Sequence, residues 1–236
     1  MSDSTLHDRL RLDHLVVMAD SLDEGAAWCE HALGVAPGPG GEHPLFGTHN
    51  RLLAIGSPAF PLAYLEIIAI NPVAKESQST WTSDRKRWFD MDDEQLRAQV
   101  RSHGPRLIHW VARVPDLAQA AVALAVHEID RGELLHASRA TPSGLLEWQI
   151  TVRPDGQRLF DGCLPTLIEW GAAHPAAAMP ASGIALQSLA LRHPRAAALA
   201  EASAALGLTQ ARIDHAPQAA IEAMLTTPRG AVTLST

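Results

Sequence analysis

The stretch Leu12-Asp13-His14-Leu15-Val16-Val17-Met18 decides the fold, because a run of the same kind returns at Leu107-Ile108-His109-Trp110-Val111-Ala112-Arg113-Val114. Each run is short and apolar and carries one histidine near its start, which is typical of a buried strand. A helix signal follows each run. Ser21 and Glu24 form a capping box before a helix that ends at Gly34, and Pro115-Asp116-Leu117 opens an alanine-rich helix to about residue 129.

Further strands are predicted after each helix, at residues 51–56 and 63–70 and then at 134–140, 145–152 and 166–170. The segment Pro37-Gly38-Pro39-Gly40-Gly41 is predicted as a turn or loop. The chain therefore contains two copies of a strand–helix–strand module, at 10–71 and 105–171. A polar insertion at 72–104 joins them, and Asp92-Asp93-Glu94 opens a short helix within it. A third, weaker copy with the order βαββ is predicted at 182–236.

Composition excludes several classes of protein. The hydrophobic fraction of 47% is that of a globular chain with a core, and 26 acidic against 19 basic side chains give a formal charge of −7. That charge argues against nucleic acid or an anionic membrane as a partner. No run is long and apolar enough to span a bilayer, and the acidic N-terminus lacks signal-peptide character, so we expect a cytoplasmic protein. Cys29 and Cys163 are expected to be buried packing residues.

Four chemically active side chains occupy equivalent places in the two modules. His14 and His109 lie in the opening strands, and Glu66 and Glu169 lie in the closing strands. A carboxylate within an apolar strand is disfavoured unless it is paired, protonated or metal-bound. We therefore expect the four side chains to converge on one cavity. Two imidazoles and two carboxylates, with water at the open positions, suit a divalent ion such as Zn, Ni, Fe, Mn or Co. A satisfied core or surface role is the alternative for each residue alone.

The sequence resembles the vicinal oxygen chelate superfamily, and most closely its glyoxalase-like branch, over about residues 10–171. The resemblance is carried by Leu12-Asp13-His14-Leu15-Val16-Val17, Gly40-Gly41-Glu42-His43-Pro44 with Gly47-Thr48-His49-Asn50, Tyr64-Leu65-Glu66, and Leu164-Pro165-Thr166-Leu167-Ile168-Glu169-Trp170. It implies an α+β fold in which tandem βαβββ modules form an open curved sheet around a central cavity, here with a third partial module at the C-terminus. It also implies that His14, Glu66, His109 and Glu169 are the metal ligands.

The resemblance implies a metal-dependent lyase or isomerase that chelates vicinal oxygens of a small substrate. In that function the metal acidifies a substrate C–H, and Glu169, or alternatively Glu66, acts as the general base. Two alternatives stay open. One is a non-catalytic protein that binds or sequesters a small molecule, in which the buried His and Glu side chains bond to one another. The other is a ring-cleaving dioxygenase with Fe(II) or Mn(II). A homodimer is compatible with all three.

Two segments are further candidates for contact with a ligand. The glycine-rich loop carries His43, His49 and Asn50, and Trp110 lies beside a candidate metal ligand, so these four are predicted substrate contacts. A simple glycine turn is the alternative for the loop. In the insertion, Trp81 and Trp88 with Arg85-Lys86-Arg87 suggest a lid that closes over a substrate. The favoured alternative is a solvated connector whose tryptophans merely pack down.

Overall fold

The computed structural model describes residues 11–74, 86–141 and 144–236. Within them the chain forms two sheets and four α-helices. The elements of the first module are β1 Arg11–Met18, α1 Leu22–Leu33, β2 Gly38–His43, β3 Thr48–Ala54 and β4 Tyr64–Ile70; α2 Glu94–His103 lies in the insertion. The second module has β5 Arg106–Arg113, α3 Leu117–Ala125, β6 Glu133–Thr141, β7 Gly144–Val152 and β8 Thr166–Trp170. The C-terminal part has β9 Ala185–His193, α4 Ala196–Ala205, β10 Ala211–His215, β11 Ala220–Thr227 and β12 Gly230–Ser235.

The first two modules share one eight-stranded sheet, with the strand order β2-β3-β4-β1-β5-β8-β7-β6. In each module the opening strand pairs parallel with the closing strand, and the two opening strands pair antiparallel at the centre. The sheet curls until its two edges meet: a Cβ atom on Gly41 of β2 would overlap the Arg139 guanidinium of β6. The predicted α+β fold, with tandem modules around a cavity, is confirmed.

The turn or loop predicted at 37–41 is wrong in part, because Gly38–His43 is the edge strand β2. The absence of side chains lets this strand lie close to its neighbour. A Cβ atom on Gly40 would overlap the backbone of Asn50 on β3. The glycines therefore bring two strands together, whereas composition alone suggested a turn.

Two apolar layers lie on opposite faces of the large sheet. The helix-facing layer includes Leu15, Leu65 and Trp110 together with buried residues of α1, α3 and the C-terminal sheet. On the concave face, Met91 and Val100 of the insertion pack with residues of β1, β4, β5, β7 and β8. The insertion therefore covers part of the concave face, and a cavity remains beside it.

The C-terminal part differs from the predicted βαββ copy by one strand. Its sheet has the order β10-β9-β11-β12. The opening strand β9 pairs parallel with β10, whereas in the first two modules the opening strand pairs parallel with the closing strand. The sequence prediction missed β10 because Ala-Arg-Ile-Asp-His is short and polar.

The insertion is partly described. The helix predicted after Asp92-Asp93-Glu94 is confirmed as α2, with Asp93 as its N-cap. Trp88 and Phe89 are buried, which agrees with a connector whose tryptophans pack down; the lid stays a prediction. Trp81 and Arg85 lie outside the described residues. No helix in the described ranges is long and apolar enough to cross a membrane.

Asp90 ties the insertion to the second module. Its Oδ2 accepts hydrogen bonds from Nε and the backbone N–H of Arg158 at 3.0 and 3.2 Å, and its own N–H donates to Gly156 O. Asp90 also has a left-handed backbone with φ of 56°, which aspartate tolerates better than alanine does. We expect Asp90→Ala to lower the unfolding free energy by about 1–3 kcal/mol.

Urea denaturation measures this effect. The matched control is Asp214→Ala, which removes an acid from an exposed ion pair with Arg212 and is expected to cost less than about 1 kcal/mol. Equal losses in the two variants would contradict the proposed anchoring role of Asp90.

Candidate functional site

An irregularity in β1 places an acid in the core next to His14. The pairing of β1 with β5 shifts register between Leu12 and His14, so Asp13 is an extra residue on its strand. The shift puts Leu12 in the helix-side layer, whereas regular alternation along a strand would place it on the same face as His14. Asp13 is fully buried.

The Asp13 carboxylate is satisfied by three donors. Its Oδ1 accepts a hydrogen bond from Nδ1–H of His14 at 2.7 Å. Its Oδ2 accepts from Nε1–H of Trp170 and Nε2–H of His174, each at 2.9 Å. Burial acts to raise the pKa of Asp13, but the hydrogen bonds from His14 and His174 outweigh it and lower the pKa well below its usual range.

His14 lies between two carboxylates. Its Nε2 is 3.5 Å from Oε2 of Glu66, and its ring stacks on Tyr64 with centroids 4.5 Å apart. Burial acts to lower the pKa of His14, but the hydrogen bonds to Asp13 and Glu66 raise it to about 9. Burial likewise acts to raise the pKa of Glu66, and its partner His14 reverses that effect. The raised pKa of His14 and the lowered pKa of Glu66 favour an imidazolium between two carboxylates at neutral pH.

Asn50 continues this network. Its Oδ1 accepts a hydrogen bond from the Gly41 N–H at 2.8 Å, which orients its Nδ2 to donate to Glu66 Oε1 at 2.6 Å. The same Nδ2 is 3.3 Å from His43 Nε2, and His43 Nδ1 donates to Thr48 Oγ1. Burial lowers the pKa of His43 to about 4, so that ring is neutral. The glycine-rich segment thus positions Asn50 through one backbone amide.

A cavity opens from this network towards solvent, with about 40 Å³ of enclosed space. Its floor is polar, its walls are largely aromatic and aliphatic, and Arg139 lies at the meeting edges of the sheet. The lining residues are His14, His43, Asn50, Leu52, Tyr64, Glu66, Trp88, Phe89, Arg139, Leu146, Trp148, Ile150, Ile168, Trp170 and Pro175. Such a cavity suits a small organic molecule.

His109, predicted as a metal ligand, is engaged by the protein itself. Its Nδ1–H donates to Gly162 O at 2.9 Å, and its Nε2 accepts from the Thr166 N–H at 3.1 Å. Phe89 covers the ring at 5.2 Å. Burial, with smaller effects from Arg131 and Arg158, lowers the pKa of His109 well below its usual range. Both ring nitrogens of this neutral imidazole therefore already have partners.

Glu169 lies on the other face of the sheet. Its neighbours Ile168 and Trp170 line the cavity, so alternation along β8 points Glu169 away from it. Glu169 Oε2 accepts a hydrogen bond from the Leu117 N–H at the start of α3, 2.7 Å away. A carboxylate at a helix N-terminus is stabilising. The structure thus brings His14 and Glu66 together, and places the other two predicted ligands elsewhere.

Of the four predicted substrate contacts, two line the cavity and two lie elsewhere. His43 and Asn50 line the cavity, whereas the side chain of His49 alternates to the opposite face of β3. Trp110 packs in the helix-side core and donates Nε1–H to Cys163 O. The sequence interpretation missed Asp13, His174 and Arg139. The acid directly before His14 in an apolar strand was the available signal for the first of them.

The residues described do not fit the predicted four-ligand metal centre. In residues 11–74, 86–141 and 144–236, no three His, Cys, Asp or Glu side chains are placed to hold one ion. A metal ion bound at His109 Nε2 would also displace the hydrogen bond that the Thr166 amide donates to this nitrogen.

Comparison with known proteins decides the family. A family described as a glyoxalase-like domain matches residues 12–207, which is most of the chain. The chain belongs to this family. The resemblance to the vicinal oxygen chelate superfamily is thereby confirmed. No curated protein matches this glyoxalase-like chain.

Solved structures resemble the fold of this glyoxalase-like chain at low identity. A hypothetical protein from Staphylococcus aureus is 13% identical over 96% of this chain and 85% of that chain, with a TM-score of 0.58. Methylmalonyl-CoA epimerase from Mycobacterium tuberculosis is 19% identical over 72% and 92%, with a TM-score of 0.40. The Streptomyces coelicolor epimerase, in complex with 2-nitronate-propionyl-CoA, is 12% identical over 69% and 98%, with a TM-score of 0.41. At these identities the likeness concerns the fold alone.

The raised pKa of His14 predicts a pH-dependent stability. A histidine whose folded pKa is about 9 and whose unfolded value is 6.5 stabilises the fold fully below pH 6.5, and this stabilisation is lost as the pH rises to 9. The difference in unfolding free energy between the wild type and His14→Gln should therefore shrink over that range. Urea titrations at several pH values measure it, with exposed His127→Gln as the control. A difference that is constant between pH 6.5 and 9 would argue against a buried imidazolium.

The adjacent glycines of β2 predict different outcomes. Gly40→Ala would drive a Cβ atom into the backbone of Asn50, which cannot move freely, so we expect it to cost about 1–3 kcal/mol of stability. Gly41→Ala meets the flexible end of Arg139 instead, so we expect a cost below about 1 kcal/mol and a displaced guanidinium. Chemical denaturation and a crystal structure of Gly41→Ala test the pair. The reverse order of stability would contradict this packing.

Proposed function

We propose that the chain is a small-molecule-binding protein of the glyoxalase-like family and that its ligand occupies the cavity above His14 and Glu66. The observation that carries the proposal is the set of partners of the predicted ligands. His109 and Glu169 each bond to protein groups outside the cavity, and Glu66 is held by Asn50 and faces His14. The pairing of His14 with Glu66 is the arrangement expected of the binding alternative, whereas His109 and Glu169 are held by other protein groups instead of by each other.

Several features of the cavity support binding. Trp148 and Trp170 form part of its wall, with ring centroids 5.6 Å apart. Aromatic walls supply large apolar contact area to a ligand, and a few fixed polar groups on the floor orient it. The floor groups are held by hydrogen bonds within the protein, such as that from Gly41 N–H to Asn50, so little ordering would be required on binding.

A metal-dependent lyase or isomerase is the second candidate function. It is favoured by the proximity of His14 Nε2 and Glu66 Oε2, two of the four predicted ligands, on the cavity floor. The metal would supply Lewis acidity towards a substrate oxygen. This candidate requires His109 to give up the Thr166 amide and Glu169 to leave the N-terminus of α3, so the geometry supports it less well.

A fragment screen by NMR distinguishes the two functions. We expect neutral and charged fragments to shift the indole N–H signals of Trp148 and Trp170. The same shifts should occur after the protein has been treated with EDTA. Metal analysis of untreated protein should give a substoichiometric content. The unfolding temperature should not fall after chelation, because His109, Glu169 and Glu66 are each held by hydrogen bonds within the protein.

Two controls make the result decisive. His14→Gln and Glu66→Gln test the second candidate, since bound metal that is stoichiometric in the wild type and lost in both variants would replace the binding proposal. A screen in which no fragment perturbs Trp148 or Trp170 would contradict binding at this cavity. Assays of 2-oxoaldehyde turnover on the same preparation check for catalysis.

A further inference from the structure

The charged side chains at the cavity, and Asp13 next to its residue His14, differ in whether they already have hydrogen-bond or ion-pair partners. Asp13 has three donors, and Glu66 has Asn50 and the imidazolium of His14. Arg139 also lines the cavity, but it forms no ion pair with any residue in the described ranges. Burial is the main cause of the lowered pKa of His43, and the nearby charge of Arg139 adds to it. Among the described residues, Arg139 is therefore a cation of the cavity lining without an ion-pair partner.

Trp88 supplies a second unused donor. Its Nε1–H is buried and has no hydrogen-bond partner in the part of the chain that the structure describes. Phe46 and Phe89 stack on the ring at centroid distances of 3.9 and 4.9 Å, so only its edge is available to another molecule. A buried donor without a partner is destabilising, and an acceptor on a ligand would offset that cost.

We infer that the cavity recognises a short-chain monocarboxylate. Arg139 binds the carboxylate, the Trp88 Nε1–H donates to a ligand oxygen, and the aliphatic part contacts Trp148 and Trp170. The inference rests on the proposed binding function and adds the charge and size of the ligand. Both unused groups are donors, so the complementary ligand is an acceptor, and a guanidinium matches a carboxylate in charge and geometry.

The size of the ligand follows from the cavity. The enclosed space of about 40 Å³ is far below the roughly 300–1,000 Å³ of sites that bury drug-sized ligands. Arg139 lies against Gly41, where an added Cβ atom would overlap its guanidinium. This contact places the guanidinium beside β2 at the cavity, and the small enclosed space leads us to expect a ligand of three or four carbons.

Three probes with one carbon skeleton test the charge. Isobutyrate, isobutyramide and isobutylamine are titrated into the full chain by calorimetry, with intrinsic tryptophan fluorescence as a second readout. We expect isobutyrate to bind at least about tenfold more tightly than the amide, and the amine to bind weakest. Arg139→Gln should remove the preference for the acid without weakening the amide. Arg212→Gln, which removes an exposed arginine remote from the cavity lining, is the matched control and should change nothing.

Trp88→Phe tests the second donor, since it keeps the aromatic stack and removes only the N–H. We expect it to weaken isobutyrate and isobutyramide alike, by about threefold to tenfold. Equal binding of acid and amide, or tightest binding of the amine, would overturn the inference and leave the proposed binding function standing. Failure of all three probes also overturns the inference. The fragment screen then shows whether the binding function fails with it.

Discussion

Two carboxylates buried in an apolar sheet require donors, and much of the site follows from that requirement. Asp13 is fully buried, and its hydrogen bonds to His14, Trp170 and His174 join the first module to the end of the second. Glu66 is satisfied by Asn50, which a glycine amide holds in place. Because removal of one partner would leave a buried charge uncompensated, these contacts are mutually dependent.

The two modules differ in how their buried polar side chains find hydrogen-bond partners. His109 satisfies its ring nitrogens with backbone groups of Gly162 and Thr166, and Phe89 from the insertion lies against it. The register between β1 and β5 shifts beside this histidine, because Val16 pairs with His109 and Val17 pairs with Leu107. The modules are thus similar in topology and different in chemistry, since only the first presents its histidine and glutamate to the cavity.

The sequence predicted the fold well because the fold depends on repeated apolar strands and helix caps. It also brought His14, Glu66, His43 and Asn50 to one cavity, and their roles as metal ligands or substrate contacts stay predictions. It could not place Glu169, because a single residue of alternation decides which face of β8 the side chain occupies. The acid next to His14 was visible in the sequence, but its pairing with His14 was not, because the extra residue in β1 arises from pairing with a distant strand. Arg139 reaches the cavity only because the edges of the sheet meet, which no local pattern records.

The protonation of His14 and His109 tests this account most directly. A long-range proton–nitrogen NMR spectrum of the imidazole rings at neutral pH distinguishes a charged ring from each neutral tautomer. The account predicts a doubly protonated His14 and a neutral His109 with its proton on Nδ1, and it predicts that the His109 signals do not change when Zn²⁺ is added. A neutral His14, or signals of His14 and His109 that shift together at one equivalent of Zn²⁺, would contradict it.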